Sequence, residues 1–302
     1  MKTAALVVDW GRPQETEAAL QSLAAMTPPP DVLIRVDNAS PSIGVEPVSK
    51  TAPKGTVLID LEKNIGFPAA VNVGMEAALA HGVDWTLLLN NDAVVEPTCL
   101  SKCVDEAQRY ENVAAVGPAI AFEDRPDLLW FAGGDVSPWF AFTRHRGLMA
   151  SALTPPPSSG TGFVSGCCIA LSSEAWRSIG PFRADYFAYY EDAEWCQRAT
   201  GQGWQCRYVG EVLCLHKVSL TWSRPGSLDL SAGMAYYLAR NPLRFSLETE
   251  AVSRRLTRLL GIMVVWNGFN AWRALKSKNT AVARAYLRGI SDGFSGRMGQ
   301  RL

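Results

Sequence analysis

The stretch WTLLLNNDAVVEP, from Trp85 to Pro97, constrains this chain more than any other. Its apolar run Leu87-Leu88-Leu89 stops at Asn90-Asn91-Asp92, and a second short apolar run ends at Glu96-Pro97. A strand buried on both faces of a parallel sheet reads as a continuous apolar run. Ligands of open α/β sheets bind just beyond the carboxyl ends of such strands. The stretch therefore predicts a buried strand that delivers Asp92 to a crevice, with no positive partner nearby in sequence. A carboxylate so placed suits a hard cation bound to a phosphate. The same residues also suit an Asx-type turn closing an ordinary strand.

The preceding residues repeat the pattern. TAALVV (Thr3 to Val8) and VLIRV (Val32 to Val36) read as buried strands, and the second runs straight into Asp37-Asn38. A third strand, TVLIDL, precedes the turn Asn64-Ile65-Gly66-Phe67. Two helices separate these strands. PQETEAALQSLAAM has apolar residues at helical spacing and acids in its first turn, which suits the positive end of a helix dipole. PAAVNVGMEAALAHG is the other, with Gly82 as its stop. Strands and helices alternating in this way predict an α/β nucleotide-type sheet. There is no GxGxxG after the first strand and no GxxxxGK[ST], which argues against a dinucleotide fold and a P-loop ATPase.

Further on, CLSKCVDEAQRYEN predicts a helix and AAVGPAI a strand, followed by an irregular segment from Glu123 to Pro157. FVSGCCIALS reads as a strand, SSEAWRSIGPF as a capped short helix, and Glu191-Asp192 stand at or just before the start of another helix. WQCRYVGEVLCLHK reads as a strand pair or one bent strand ending at His216. Past Pro225 the pattern is helical, with an expected interruption at Asn241-Pro242. The apolar stretch from Leu259 to Trp272, broken by Asn267 and Asn270, is short for a membrane span.

Composition enters at two points. With seven Cys and no CxxC pair, the chain suits reduced thiols in a cytoplasmic setting rather than zinc or a disulfide framework. The first residues, MKTAALVVDWG, read as a strand rather than a signal peptide. Zero net charge hides an asymmetry: from Ser253 to Leu302 ten Arg and Lys face the single acid Asp292, a net +9 on the tail and −9 on the rest. A basic tail on an acidic body points to an anionic partner for the tail.

Taken singly, Asp37-Asn38, the Asn64 turn, Asp92 and Glu191-Asp192 are weak signals, since strand-end acids usually form turns and helix-start acids usually answer the dipole. In order, the motifs VDNAS, NIGFPAAVNVG, LLLNNDAVVEP, GFVSGCCIALSSEAWRSIGPF, FAYYEDAEWCQRATGQGWQ, His216 and AYYLARN resemble those of family-two inverting glycosyltransferases of GT-A fold. The likeness is to the rhamnosyltransferase-like branch and covers about residues 3 to 245.

That resemblance implies an α/β fold, a GT-A type mixed sheet flanked by helices, with a helical C-terminal extension. It implies a glycosyltransferase domain over residues 1–225, with a nucleotide-sugar half to about 120 and an acceptor half beyond, and a basic helical extension over 226–302. Asp37 would read the nucleobase, with Asn38 beside it, and the loop of Asn64, Gly66 and Phe67 would close over the nucleotide with Asn72. Gly66 and Gly74 would allow close backbone approach. Asp92, following Asn90 and Asn91, would bind Mg²⁺ or Mn²⁺ on the donor diphosphate, and His216 is either a further ligand or a structural residue. Asn-Asn-Asp leaves one carboxylate where the family has an Asp-x-Asp motif.

Asp192 matches the family's general base, and Glu191 beside it is the competing candidate. Gly162 to Cys168, Gly166 and Cys167 among them, would line the donor-sugar pocket, with Trp195 and Arg198 supporting it. Trp10 and Arg12 would border the base, where Asp9 and Gly11 depart from the family's usual Thr-aromatic-Asn-Arg. The implied donor is a dTDP- or UDP-sugar, with L-rhamnose a candidate, and the implied acceptor a saccharide or lipid-linked saccharide. No nucleic acid is implied. The C-terminal helices would touch the membrane's inner face or the acceptor diphosphate, or form a homodimer. A nucleotidyltransferase would need a better loop than Gly11-Arg12-Pro13, and a sugar-nucleotide binder without turnover remains an alternative.

Overall fold

The computed structural model describes residues 1–41, 51–137, 143–217, 231–248 and 280–301. In chain order, β1 (Thr3–Asp9), α1 (Pro13–Ala24), β2 (Val32–Asp37), β3 (Val57–Asp60), α2 (Phe67–Ala80) and β4 (Trp85–Asn90) form the first half. Both helices carry Pro in the first turn, where its missing N–H costs no hydrogen bond. The strands pair in parallel in the order β4-β1-β2-β3, and the apolar runs of β1 and β4 are buried. Helix α2 lies so close to β1 that a Cβ on Gly74 would fall 2.3 Å from Leu6 Cδ1. Gly74 thus serves helix-sheet packing.

The second half continues with β5 (Ala93–Val95), α3 (Cys99–Ala107), β6 (Val113–Phe122), β7 (Leu129–Phe131), β8 (Gly134–Val136), β9 (Thr143–His145), β10 (Ser159–Gly160) and β11 (Cys168–Ser172). Then follow α4 (Ser173–Ile179), a 3₁₀ turn (Ala184–Tyr186), α5 (Glu191–Gly201) and β12 (Gln205–His216). The main sheet runs β10-β12-β6-β11-β4-β1-β2-β3. Strand β11 is antiparallel to both β4 and β6, so the sheet is mixed, as expected. Strand β12 is a single bent strand whose register against β6 shifts three times.

Several expectations change. The segment from Glu123 to Pro157 holds β7, β8 and β9, because strands of three residues leave no long apolar or alternating run to read. The strand in FVSGCCIALS starts only at Cys168, after a turn in which Cys168 N–H donates to Ser165 O. Helix α3 ends at Ala107, well before Asn112, which takes a left-handed φ of 54°.

Past the body, α6 (Ala232–Glu248) packs against α7 (Thr280–Ser295), with Ala235, Ala239, Val282 and Tyr286 in the shared core. A Cβ on Gly289 would lie 2.3 Å from Tyr236 O, so the small residue permits the close approach. Asp292, the tail's one acid, is buried and accepts from Tyr236 Oη at 2.8 Å. Helix α6 runs through Asn241-Pro242 without the expected interruption. The predicted apolar stretch from Leu259 to Trp272, and Trp139, Phe140 and Phe142, lie outside the described residues. Among the described residues no helix is long and apolar enough to cross a membrane.

Candidate active site

Register builds one end of the candidate site, at Asp9, Asp37 and Asp60. Asp9 pairs with Asp37 across β1 and β2, and Asp37 with Asp60 across β2 and β3, so three carboxylates line up at the strand ends. Like charges in a row repel, and Arg35 answers them. Residues two apart on a strand share a face, which puts the Arg35 guanidinium beside Asp37. Arg35 contacts Asp9 Oδ2 at 2.9 Å, Asp37 Oδ2 at 3.0 Å and Asp60 Oδ1 at 3.1 Å. Asp9 is buried and also accepts from Thr16 Oγ1 at 2.7 Å, while Asn91 Nδ2 donates to Thr16 Oγ1 at 3.2 Å. Arg35 and Asp9 carry the rigidity of this corner, and neither was singled out for it. A charged residue inside the apolar run VLIRV was the available signal.

Next to Asp37, Asn38 is buried and ties down the following turn. Its Nδ2 donates to Asn64 Oδ1 at 3.1 Å, and its Oδ1 accepts from Ile65 N at 2.9 Å. Asn64 Oδ1 also accepts from Gly66 N at 2.9 Å. Gly66 has φ +89°, and a Cβ there would fall 2.7 Å from Phe187 O. Its glycine character therefore answers a contact within the chain. Asn72 turns away from the cluster: its amide donates to Phe182 O at 2.8 Å and accepts from Phe182 N at 3.0 Å. Trp10, 53% exposed, stands at the rim.

Asp92 meets His216 because β5 pairs with β12. His216 lies opposite Ala93, and Lys217 N donates to Asp92 O at 2.9 Å. His216 Nε2 faces Asp92 Oδ1 at 3.1 Å, and Arg12 Nη1 holds Asp92 Oδ2 at 3.0 Å. Burial pushes the Asp92 carboxyl up, but the His216 hydrogen bond and the charges of His216 and Arg12 outweigh it, so its pKa lies below the ordinary value. His216 is wedged against Trp130, ring centroids 4.6 Å apart, and its Nδ1 is buried with no partner among the described residues.

An ionised carboxylate beside an imidazole nitrogen suits a divalent cation, but no group of three or more His, Cys, Asp or Glu among the described residues could hold one alone. A cation there needs further ligands beyond these two side chains. Metal-ligating imidazoles ordinarily donate their second nitrogen to a carbonyl or carboxylate, and His216 Nδ1 has no such partner among the described residues, so Asp92 is the better suited of the two to a cation.

The acid pair sits on the other side of one turn. Asp192 Oδ2 accepts from Gly166 N at 2.8 Å, and Oδ1 accepts from Ala193 N at 2.7 Å. The next residue, Cys167, accepts from Asn90 N at 2.8 Å through its carbonyl. Gly166-Cys167 thus joins Asp192 to the Asn90-Asn91-Asp92 turn, and Phe67 closes in: a Cβ on Gly166 would lie 3.7 Å from both Phe67 Cε1 and Asp192 Oδ2. The Cys167 side chain itself is buried, and burial pushes its thiol up.

Glu191 and Asp192 divide by environment. Glu191 is 6% exposed, and its Oε2 has no partner among the described residues. Burial, then the charge of Asp192, push the Glu191 carboxyl up to about 8. Asp192 is half-buried; burial raises its pKa too, against the amides of Gly166 and Ala193. Burial and the neighbouring charge favour the proton on Glu191, and Asp192 is the member hydrogen-bonded to the turn. Trp195 and Arg198 brace the preceding segment, donating to Gly180 O, Ile179 O and Pro181 O at 2.7–2.8 Å.

Known proteins carry the same frame. Among solved structures, the mannosyltransferase PcManGT from Pyrobaculum calidifontis, in complex with GDP-Man and Mn²⁺, superposes with a TM-score of 0.56 over 98% of this chain and 79% of its own, at 15% identity. GalNAc-T7 with UDP, GalNAc and Mn²⁺ gives 0.61 over 95% and 55%, at 13% identity. At such identities the likeness speaks for the fold, which is GT-A. In sequence, the N-acetylglucosaminyl-diphospho-decaprenol L-rhamnosyltransferase of Mycobacterium tuberculosis is 25% identical over 242 residues, 72% of this chain and 76% of that one. The galactofuranosyltransferase GlfT1 of the same organism is 34% identical over 131 residues, 42% of each chain. The family model Glycosyl transferase family 2 matches residues 8–179. With more than half its length so matched, the chain belongs to glycosyl transferase family 2 and is a glycosyltransferase acting on sugar-nucleotide donors.

Proposed function

We propose that this chain transfers L-rhamnose from a dTDP- or UDP-linked donor to a saccharide on a lipid diphosphate, by a single displacement that inverts the anomeric carbon. The observation that carries the reading is the junction at Gly166-Cys167, which holds Asp192 on one side and the Asn90-Asp92 turn on the other. A base and a diphosphate contact flanking one turn leave the anomeric carbon between them. The rhamnosyltransferase likeness supports the sugar and the lipid-linked acceptor.

In this reading Asp37 meets the nucleobase, with Trp10 at the rim, while the buried Asn38 fixes the Asn64-Phe67 turn over the nucleotide rather than touching the base. Asp92 and His216 would hold a divalent cation, which supplies charge neutralisation on the departing diphosphate. Arg12, now paired with Asp92, is placed to turn its exposed guanidinium to the same phosphates. Asp192 Oδ2 takes the acceptor hydroxyl proton as that oxygen attacks the anomeric carbon from the face opposite the phosphate. Glu191 stays protonated and keeps the base singly charged.

We also place the enzyme in the cytoplasm, peripheral on the inner face of the membrane. The exposed Leu287 and Phe294 of α7, one apolar pair seven residues apart among basic side chains, support that contact. Sedimentation with anionic against neutral vesicles tests it, and a concentration-dependent dimer without vesicle binding would replace it.

The chemical reading is tested by incubating the protein with dTDP- and UDP-rhamnose, Mn²⁺ or Mg²⁺, and a lipid-diphosphate saccharide. Nucleoside diphosphate release with an inverted product by NMR is expected. Asp192→Asn should lower kcat by about 100- to 10,000-fold, with donor affinity retained. Full activity in that variant would remove Asp192 from its role.

A further inference from the structure

We infer that Arg240 and Asn241 of α6 are positioning residues for catalysis: they hold the loop from Asp185 to Tyr190 in the conformation that aims Asp192 at Gly166. The inference rests on the function proposed above for Asp192, but its structural part does not.

The loop is one that the chain does not adopt unaided. Phe187, Tyr189 and Tyr190 have φ of 66°, 67° and 74°, in the left-handed region that L side chains disfavour. None is glycine. Tyr190 is the residue immediately before α5, so its backbone sets the direction in which Glu191 and Asp192 leave the loop. A segment turned this way also points successive carbonyls away from any helix or strand, and buried carbonyls need donors.

Two buried side chains supply them. Arg240 Nη2 donates to Tyr186 O at 2.6 Å and to Asp185 O at 3.2 Å. Asn241 Nδ2 reaches Ala188 O at 2.7 Å, Tyr189 O at 2.8 Å and Tyr186 O at 3.2 Å. Arg240 Nε donates to Asn241 Oδ1 at 2.8 Å, which fixes which end of the amide faces the loop. Both residues are 0% exposed. Arg240 Nη1 ties in the residues after α7 through Gly299 O at 2.7 Å, and Gly299 N donates back to Asp185 O at 2.7 Å.

The far side of the same loop touches the donor turn. Phe67 N donates to Phe187 O at 2.8 Å, and Phe187 stacks on Tyr237, one turn before Asn241, with centroids 5.2 Å apart. The loop is therefore gripped between the nucleotide turn and α6, with the acid pair at its exit. A planar guanidinium and a carboxamide meet several carbonyls at once; an ammonium cannot reproduce that fork.

The test compares the wild-type protein with Arg240→Lys and Asn241→Ala, each checked by thermal melt. Hydrogen exchange should quicken at residues 186–192 while the β1–β4 strands stay protected. Donor affinity by calorimetry should stay within about threefold, while kcat falls by about 100-fold, the scale of an ångström misplacement. The acidic limb of the kcat profile should move down toward the ordinary carboxylate range as the pair loses burial. Unchanged exchange at 186–192 overturns the inference whatever the activity. So does a uniform loss of protection, or a kcat loss with an unmoved pH profile. Should the wild type release no nucleoside diphosphate from any donor, the proposed function fails instead, and the exchange result still decides the clamp. If either variant does not fold, Asn241→Ser with the same readouts replaces it.

Discussion

The two halves of the site are held by opposite means. At the strand-end half, register places Asp9, Asp37 and Asp60 in a row, and one guanidinium from the same sheet gathers them. At the acid-pair half, no ladder runs through residues 187–190, and the backbone is held by side chains from a helix some fifty residues further along. The first is a consequence of sheet geometry, costly only in like charge. The second is a strained loop kept in place from outside, the kind of segment that can be tuned without disturbing the sheet.

Removing the guanidinium should produce the largest effect on the frame. Arg35→Ala leaves Asp9 buried against Asp37 without a counter-charge, and should cost about 3–5 kcal/mol in chemical denaturation. A loss below about 1 kcal/mol would mean that the strand-end corner does not depend on its ion pairs, and the contrast would fall.

Glu191→Gln probes the other half by pH. The folded-state pKa of Glu191 is raised from 4.5 to about 8, so the folded protein keeps a proton that the unfolded chain gives up. Its contribution to stability is complete below about 4.5, declines as pH rises, and levels off above about 8. Thermal melts across that window should show a steeper decline in the wild type than in Glu191→Gln, where Asp192 alone keeps a raised pKa. A parallel decline in the variant would place the titration elsewhere.

The smallest effect concerns Arg12, which is half-exposed and shares Asp92 with the proposed cation. Arg12→Ala frees Asp92 Oδ2 and should tighten Mn²⁺ binding to the free protein by about two- to fivefold, as expected of an exposed ion pair. Weaker Mn²⁺ binding in the variant would show that Arg12 orients Asp92 rather than competing for it.

Much of the strand-end half was legible beforehand. Apolar runs that break at VDN and NND mark strand ends, and parallel strands put such ends on one edge. Less legible were residues whose partners lie across the fold. Asn72 looked like a nucleotide contact, yet its amide is taken up by Phe182, 110 residues away. Gly66 and Gly74 looked like places for a ligand to approach, yet Phe187 and Leu6 occupy those approaches. AYYLARN was visible as a motif, but nothing local to it says that Arg240 and Asn241 face a loop.

By itself the sequence determined the alternation of strands and helices, the strand ends at which Asp37 and Asp92 stand, and the likeness to family-two glycosyltransferases. These follow from burial periodicity and turn chemistry, which act over a few residues. Tertiary structure alone decided that His216 meets Asp92 across 124 residues, that Asp192 rather than Glu191 faces Gly166, and that three left-handed residues lead into that acid pair. Each depends on a register or a packing contact between distant segments, and a left-handed Phe or Tyr leaves no mark in the pattern of apolar and polar residues.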